Sequence, residues 1–233
     1  ANKYQDCELI VFTAGGKMEE FCLKEKIELR KIEKYHSPRA SFPSFLYSIL
    51  NILSPIIPIK SDDIYESIDN LENIKKEISS KNISSKNPSL ILAEWIKGIP
   101  LIYYPWGLES AAIRFKNSLQ ENAKMHVIIE DVVESCHNGV VAWEKKSQIQ
   151  PILLKGADDY IKTKEKYEIL KKYFEENNIE YKEVNSVKGS ILSKIINLIY
   201  LLDYSAIYKS VIDEIDPSPV KSIEYIKKRI RTN

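Results

Sequence analysis

The chain has 233 residues, with 34 basic against 33 acidic side chains, a formal net charge of +1, and 44% hydrophobic residues. That length admits one large domain or two of ordinary size around a real core. The charge balance speaks against nucleic acid or an acidic membrane surface as partner. No apolar run approaches the roughly 20 residues that cross a bilayer, and Ala1-Asn2-Lys3-Tyr4-Gln5-Asp6 lacks a charged-then-apolar signal pattern. Cys7, Cys22 and Cys136 are widely spaced and form neither a zinc pattern nor a disulfide framework, so a reducing cytoplasm is expected. The sequence has seven glycines and no GxGxxG or Walker-type loop, and no nucleotide cofactor is expected. His36, His126 and His137 show no ligand spacing, so no metal is expected either.

In chain order, Cys7–Phe12 is a short apolar run ending in Thr13-Ala14-Gly15-Gly16-Lys17, which predicts a buried strand and a glycine turn into a helix. Consecutive glycines let backbone N–H groups approach a ligand, although a plain strand-to-helix turn has the same pattern. Met18–Lys26 reads as a short helix and Leu29–Ile32 as a strand. Ser37-Pro38-Arg39-Ala40 places an arginine at a helix N-terminus, where anions also bind. Phe42, Phe45, Leu46, Ile49, Leu50 and Leu53 follow at helical spacing and are assigned to core or subunit contact.

Two prolines break the pattern within Ser54–Pro58, and an amphipathic helix is expected over Ser61–Ser80. The Ser/Asn/Lys-rich loop Lys81–Asn87 carries the expected domain boundary, giving domains 1–84 and 85–233. A helix from Asn87-Pro88 to Lys97 leads to a strand at Ile99–Tyr104. Pro151–Leu154 is the next strong strand, Asp158–Asn177 a charged helix and Ile179–Val187 a strand. Ser190–Ile212 is apolar nearly all round, so it is expected to be buried or at a dimer interface. Lys194, Asn197 and Asp203 argue against a membrane span. Asp216-Pro217-Ser218-Pro219 starts a final helix bearing Lys221, Lys227 and Lys228. Strands alternating with helices imply parallel α/β architecture with helices on both faces. Ligands of such sheets sit at the carboxyl ends of the strands.

The stretch Gly107–Glu144 sets two titratable groups at element ends. Glu121 lies in Glu121-Asn122-Ala123-Lys124, and His137 in Cys136-His137-Asn138-Gly139, with the apolar Val127-Ile128-Ile129 between them. By residue type alone, Glu121 is one of many solvated carboxylates and His137 an ordinary half-buried histidine. The order of motifs adds more. Glu-Asn-Ala-Lys, an apolar segment and His-Asn before a helix, with Arg114-Phe115-Lys116 upstream, resembles the bifunctional phosphoglucose/phosphomannose isomerases of the sugar isomerase (SIS) family. The strand, Gly-Gly-Lys turn, second strand, Pro38-Arg39-Ala40 and terminal Asp-Pro-x-Pro helix stand in the family's order, so the resemblance runs from Ile10 to Lys228.

The resemblance implies two SIS-type, flavodoxin-like subdomains with parallel sheets flanked by helices, the first one incomplete. It implies an aldose–ketose isomerase that interconverts glucose 6-phosphate, and mannose 6-phosphate, with fructose 6-phosphate through a cis-enediol. Glu121 matches the base, Arg39 the cation beside the enediolate, and His137 the ring-opening histidine that the neighbouring subunit supplies in a homodimer with shared sites. A lysine of the last helix assists ring opening: Lys227, by its distance to the chain end, with Lys221 as the alternative. Ser218 matches the small hydroxyl that admits mannose 6-phosphate, and Thr13, Gly15 and Gly16 are neighbours for the phosphate. Two departures stand out. The family's Ser-Tyr-Ser-Gly-Asn-Thr phosphate loop precedes the Gly-Gly-Lys turn and has no counterpart here, so an incomplete chain is expected. The family also has an acidic residue after His-Asn, where this chain has Gly139. A non-catalytic sugar-phosphate-binding SIS protein and a structural dimerisation module are the competing readings.

Overall fold

A computed structural model describes residues 8–230, in two compact units that divide between Lys60 and Ser61. Cys7, at the head of the first expected strand, lies outside the described residues.

In the first unit, strand β1 (Ile10–Thr13) and strand β2 (Glu28–Lys31) pair in parallel, Ile10 opposite Glu28, with helix α1 (Lys17–Glu25) crossing between them. The turn into α1 needs its glycines: Gly15 has φ 129° and Gly16 φ 73°, where a Cβ is disfavoured. Thr13 Oγ1 accepts from Gly15 N–H at 3.2 Å and fixes the turn. Ser37 caps a 3₁₀ turn, Pro38–Ser41, that enters helix α2 (Phe42–Leu53). Of the six apolar residues assigned to core or contact, Leu50 is buried and the others are half-buried.

The second unit is built on a four-stranded parallel sheet. Its strands are β3 (Ile99–Tyr104), β4 (Ile128–Asp131), β5 (Ile149–Lys155) and β6 (Lys182–Asn185), in the order β4-β3-β5-β6. Both faces are covered, which is why β3 and the Pro151–Leu154 part of β5 read as continuous apolar runs. Side chains alternate across the sheet. Leu101, Tyr103 and Leu153 point into a cluster with Val132, Tyr167, Leu170 and Phe174. Helix α7 (Ile161–Glu176) supplies the last three of these.

Helix α3 (Ser61–Ile78), helix α4 (Pro88–Trp95) and helix α5 (Glu109–Ser118) pack against helix α8 (Ile191–Ile212). α8 is long and apolar enough to cross a membrane by composition, but over half of that window is buried inside the protein. It serves as the central core helix. Hydrogen bonds lock α3 and α4 to it: Tyr208 Oη donates to Ile78 O at 2.7 Å, and Ser89 Oγ to Leu201 O at 2.7 Å. Glu66 on α3 accepts from Ser190 N–H at 2.9 Å and Ser193 Oγ at 2.8 Å at the head of α8. These bonds hold its carboxyl below the usual range. The second compact unit begins at Ser61 because α3 docks on α8.

Two elements follow β4: a four-residue helix α6 (Val132–Ser135) and a 3₁₀ turn, Gly139–Glu144. The helix expected after His137 is this 3₁₀ turn. After α8, helix α9 (Lys221–Ile230) closes the described chain, and none of its residues is buried.

Candidate active site

Glu121 is set by the end of α5. There the backbone widens into a π-type turn, Leu119–Ala123, and Lys124 N–H reaches back five residues to Leu119 O. Such insertions are rare and concentrate at functional sites. This one is pinned from outside the helix. Arg114 Nε donates to both oxygens of Asp203 at 3.1 Å, its Nη2 to Oδ2 at 2.8 Å, and Ser118 Oγ donates to the same carboxylate. The pair is about one-fifth exposed, so the fork is partly shielded from water. Asn122 and Ala123 are buried and Glu121 is half-buried, so the carboxylate stands on a turn whose neighbours cannot move freely.

The same turn meets the C-terminal segment. Lys124 sits in the left-handed region (φ 56°), and its Nζ donates to Glu121 O and, at 2.8 Å, to Pro219 O. Asp216 Oδ1 accepts from Ser218 N–H at 2.8 Å. The Ser218 bonds, helped by the nearby Lys124 charge, hold the Asp216 carboxyl below its usual value. Ser218 is thereby brought beside the Glu121 turn. Lys221 and Lys227 lie on the exposed α9 that leaves this segment.

His137 is held differently. Asp131, the last residue of β4, caps α6 by accepting from Val133 N–H at 2.8 Å and Glu134 N–H at 3.1 Å. His137 N–H donates to Glu134 O at 2.9 Å, and its exposed ring makes no hydrogen bond among the described residues. The following 3₁₀ turn is anchored by Trp143. Its Nε1 donates to Tyr103 Oη at 2.9 Å, and its ring meets Phe174 edge-on at 5.3 Å between centroids. Burial pushes the Tyr103 hydroxyl far up, so it stays a neutral partner.

Gly139 has a structural reason to lack a side chain. A Cβ there would come 2.6 Å from Glu130 Oε2 and 3.2 Å from Ser135 Cβ. That Glu130 oxygen is buried with no hydrogen-bond partner among the described residues. A carboxylate from β4 thus occupies the space beside His137-Asn138 that a side chain at position 139 would need. Gly139→Ala is expected to cost about 1–2 kcal/mol through this crowding. In urea unfolding, Glu130→Ala should absorb most of that cost in the double variant. Strict additivity of the two changes would show that they do not meet.

Burial also raises the Glu130 carboxyl above its ordinary value of 4.5. A carboxyl raised on folding is fully tolerated below that ordinary value, and stability is lost as pH rises through the folded value. Glu130→Gln should therefore gain melting temperature over the parent as pH goes from 4 to 7. A constant difference across that range would contradict this.

Topology separates the two groups that the sequence set sixteen residues apart. Glu121 follows α5, which returns to the amino edge of the sheet before β4 begins at Ile128. His137 follows β4, at the carboxyl edge. The four residues of β4 alone span about 13 Å. The carboxyl edge carries a cleft of about 360 Å³ lined by Tyr104, Trp106, Gly107, Glu109, Ser110 and Asp131, and Glu121 does not line it. Glu121, Lys124 and Ser218 gather at one edge, and His137 stands at the other. Thr13, Gly15, Gly16 and Arg39 belong to the first unit. There Arg39 Nε donates to Ser37 Oγ at 3.2 Å.

Nothing in the sequence gives Lys124, Asp203 or Glu130 a role at the site; Asp203 stands out only as a charge that argues against a membrane span. Asp203 and Glu130 carry no local signal, since their partners lie far off in sequence or across an element. Lys124 was visible only as the last letter of the motif.

Residues 85–230 match the family model described as the bacterial phospho-glucose isomerase C-terminal SIS domain. A bifunctional phosphoglucose/phosphomannose isomerase from Caldicellulosiruptor bescii is 27% identical over 98% of this chain and 70% of its own length. One from Aquifex aeolicus is 26% identical over 95% of this chain and 67% of its own. Among solved structures, a glucose-6-phosphate isomerase like protein from Thermus thermophilus superposes with a TM-score of 0.65 at 13% identity. It covers 91% of this chain and 75% of that one, a likeness of fold. With the model matched over well over half its length, this chain belongs to the family of the bacterial phospho-glucose isomerase C-terminal SIS domain.

Proposed function

We propose that this protein is a sugar-phosphate isomerase that interconverts glucose 6-phosphate, and mannose 6-phosphate, with fructose 6-phosphate. The observation that carries the reading is the Glu121 turn. A half-buried carboxylate stands on a π-type insertion fixed by the Arg114–Asp203–Ser118 network, in a chain of an isomerase family. The reaction moves one proton between C1 and C2 of the open sugar. A single carboxylate can take it from one carbon and return it to the other, leaving a cis-enediol between the two transfers. Glu121 is assigned that role. Arg39 is assigned to the enediolate oxygens, whose negative charge a fixed cation stabilises. His137 and Lys227, with Lys221 as the alternative, are assigned to ring opening. Thr13, Gly15 and Gly16 are assigned to the phosphate side and Ser218 to the mannose epimer.

The opposite sheet edges of Glu121 and His137 support a site completed by His137 of a second copy, hence a homodimer. The cysteine usage supports a reducing cytoplasm, and the mechanism calls for no cofactor or metal. The test is formation of fructose 6-phosphate from each aldose phosphate by the parent chain and by Glu121→Gln. Activity in the parent that disappears in the variant supports the reading. A folded parent that binds either sugar phosphate without turnover would favour the non-catalytic binding protein.

A further inference from the structure

We propose that Lys124 is a positioning residue, a latch whose ammonium group ties the Asp216–Pro219 segment, and with it α9, to the turn that carries Glu121. The catalytic half of this inference rests on the isomerase reading, and the structural half does not.

Three observations carry it. Lys124 Nζ bridges two carbonyls 98 residues apart, Glu121 O and Pro219 O, the latter at 2.8 Å. A charged donor to a carbonyl is among the stronger single hydrogen bonds. Lys124 also occupies a left-handed conformation (φ 56°, ψ 33°) that costs a Cβ-bearing residue conformational energy. A glycine would fit the backbone there without strain, so what the lysine adds is its side chain. Finally, α9 buries none of its residues, so hydrophobic packing does little to hold it. The Asp216 carboxylate reinforces the latch, since it lies close enough to Lys124 to feel its charge and is itself fixed on Ser218 N–H.

The consequence is mechanical. A lysine at the end of four methylenes is useful in ring opening only if its helix is fixed relative to the carboxylate that takes the C1 or C2 proton. Lys124 couples the two directly: it grips the carbonyl of Glu121 itself and the last carbonyl before α9 begins to form. Loosening the latch should spread α9 over many orientations and leave Glu121 in place. That pattern lowers turnover more than ground-state binding.

Lys124→Gly and Lys124→Met separate backbone from amine. Hydrogen exchange on the intact chain is the first readout. Both variants should exchange the amides of residues 220–230 roughly fivefold faster, with the 109–118 amides unchanged. Lys124→Arg, which keeps a cationic donor, should restore most of the protection. In the isomerase assay both variants should lose about tenfold in kcat with KM little altered. Unchanged exchange at 220–230 in both variants overturns the latch whatever the activity. Faster exchange with full kcat overturns its catalytic role. Faster exchange in a chain whose parent turns over no sugar phosphate upholds the latch and counts against the isomerase reading alone.

Discussion

Replacing Glu121 by Gln should reduce fructose 6-phosphate formation from both aldose phosphates by on the order of 10³-fold, with the melting temperature within a degree or two of the parent. The amide keeps the shape of the carboxylate and cannot accept the C–H proton. The bonds that fix the turn run through Leu119, Ser118, Arg114 and Asp203, which the substitution leaves in place. Glu121→Asp should also be poor, by about 10²-fold, since drawing the carboxylate back by one methylene misplaces it by over 1 Å from the C1–C2 edge. A second readout isolates the proton transfer. In D₂O the parent should place solvent deuterium at C1 or C2 of the sugar phosphate, and Glu121→Gln should not. If the variant keeps more than a tenth of the parent rate, the base lies elsewhere and the assignment of this turn fails.

What was readable in the sequence follows from where each element takes its stabilisation. β3 and the Pro151–Leu154 part of β5 were plain because both of their faces are buried, so their apolar runs are unbroken. The Thr13–Lys17 turn was plain because only glycine adopts φ 129° and 73° without cost. α8 was plain as a helix, and its burial against three other helices follows from an apolar circumference. β6 came out shorter than the expected Ile179–Val187. Ile179 and Tyr181 pack against the Phe174 cluster in place of joining the ladder. α6 was missed, although Asp131 with Glu134 three residues on has the pattern of a capping box.

The candidate site was legible as residue types, not as geometry. Glu121 and His137 are named by their motifs, but the sheet puts them at opposite edges, and no spacing in the sequence reveals that. The π-type turn is equally hidden, because the group that fixes it, Asp203, is 85 residues from Ser118. Lys124 is hidden for the same reason, its partner carbonyl being 95 residues away.

Phe174→Ala should be the most damaging single core change, costing about 3–5 kcal/mol in chemical denaturation. For a unit of this size that is a fall of roughly 10 °C in melting temperature. Phe174 is fully buried and sits at the centre of an aromatic cluster. Its ring lies 5.3 Å from Trp143, 5.9 Å from Tyr181, 6.3 Å from Tyr173 and 6.5 Å from Tyr103. Removing it opens a cavity that four large rings cannot close without leaving their rotamers.

The effect should reach function through one of those rings. Trp143 helps hold the 3₁₀ turn that follows His137: its ring packs on Phe174 and its Nε1 donates to the Tyr103 hydroxyl. With Phe174 gone, Trp143 keeps its bond to Tyr103 but loses its aromatic neighbour, and the turn that follows His137 should be held less firmly. Phe174→Leu separates the two consequences. It refills much of the cavity and should recover over half of the lost stability, but it gives Trp143 no aromatic edge to pack on. Isomerase activity should then lag behind the recovered stability. If activity returns in step with the melting temperature, Trp143 does not transmit the packing of Phe174 to the His137 turn, and Phe174 acts on stability alone.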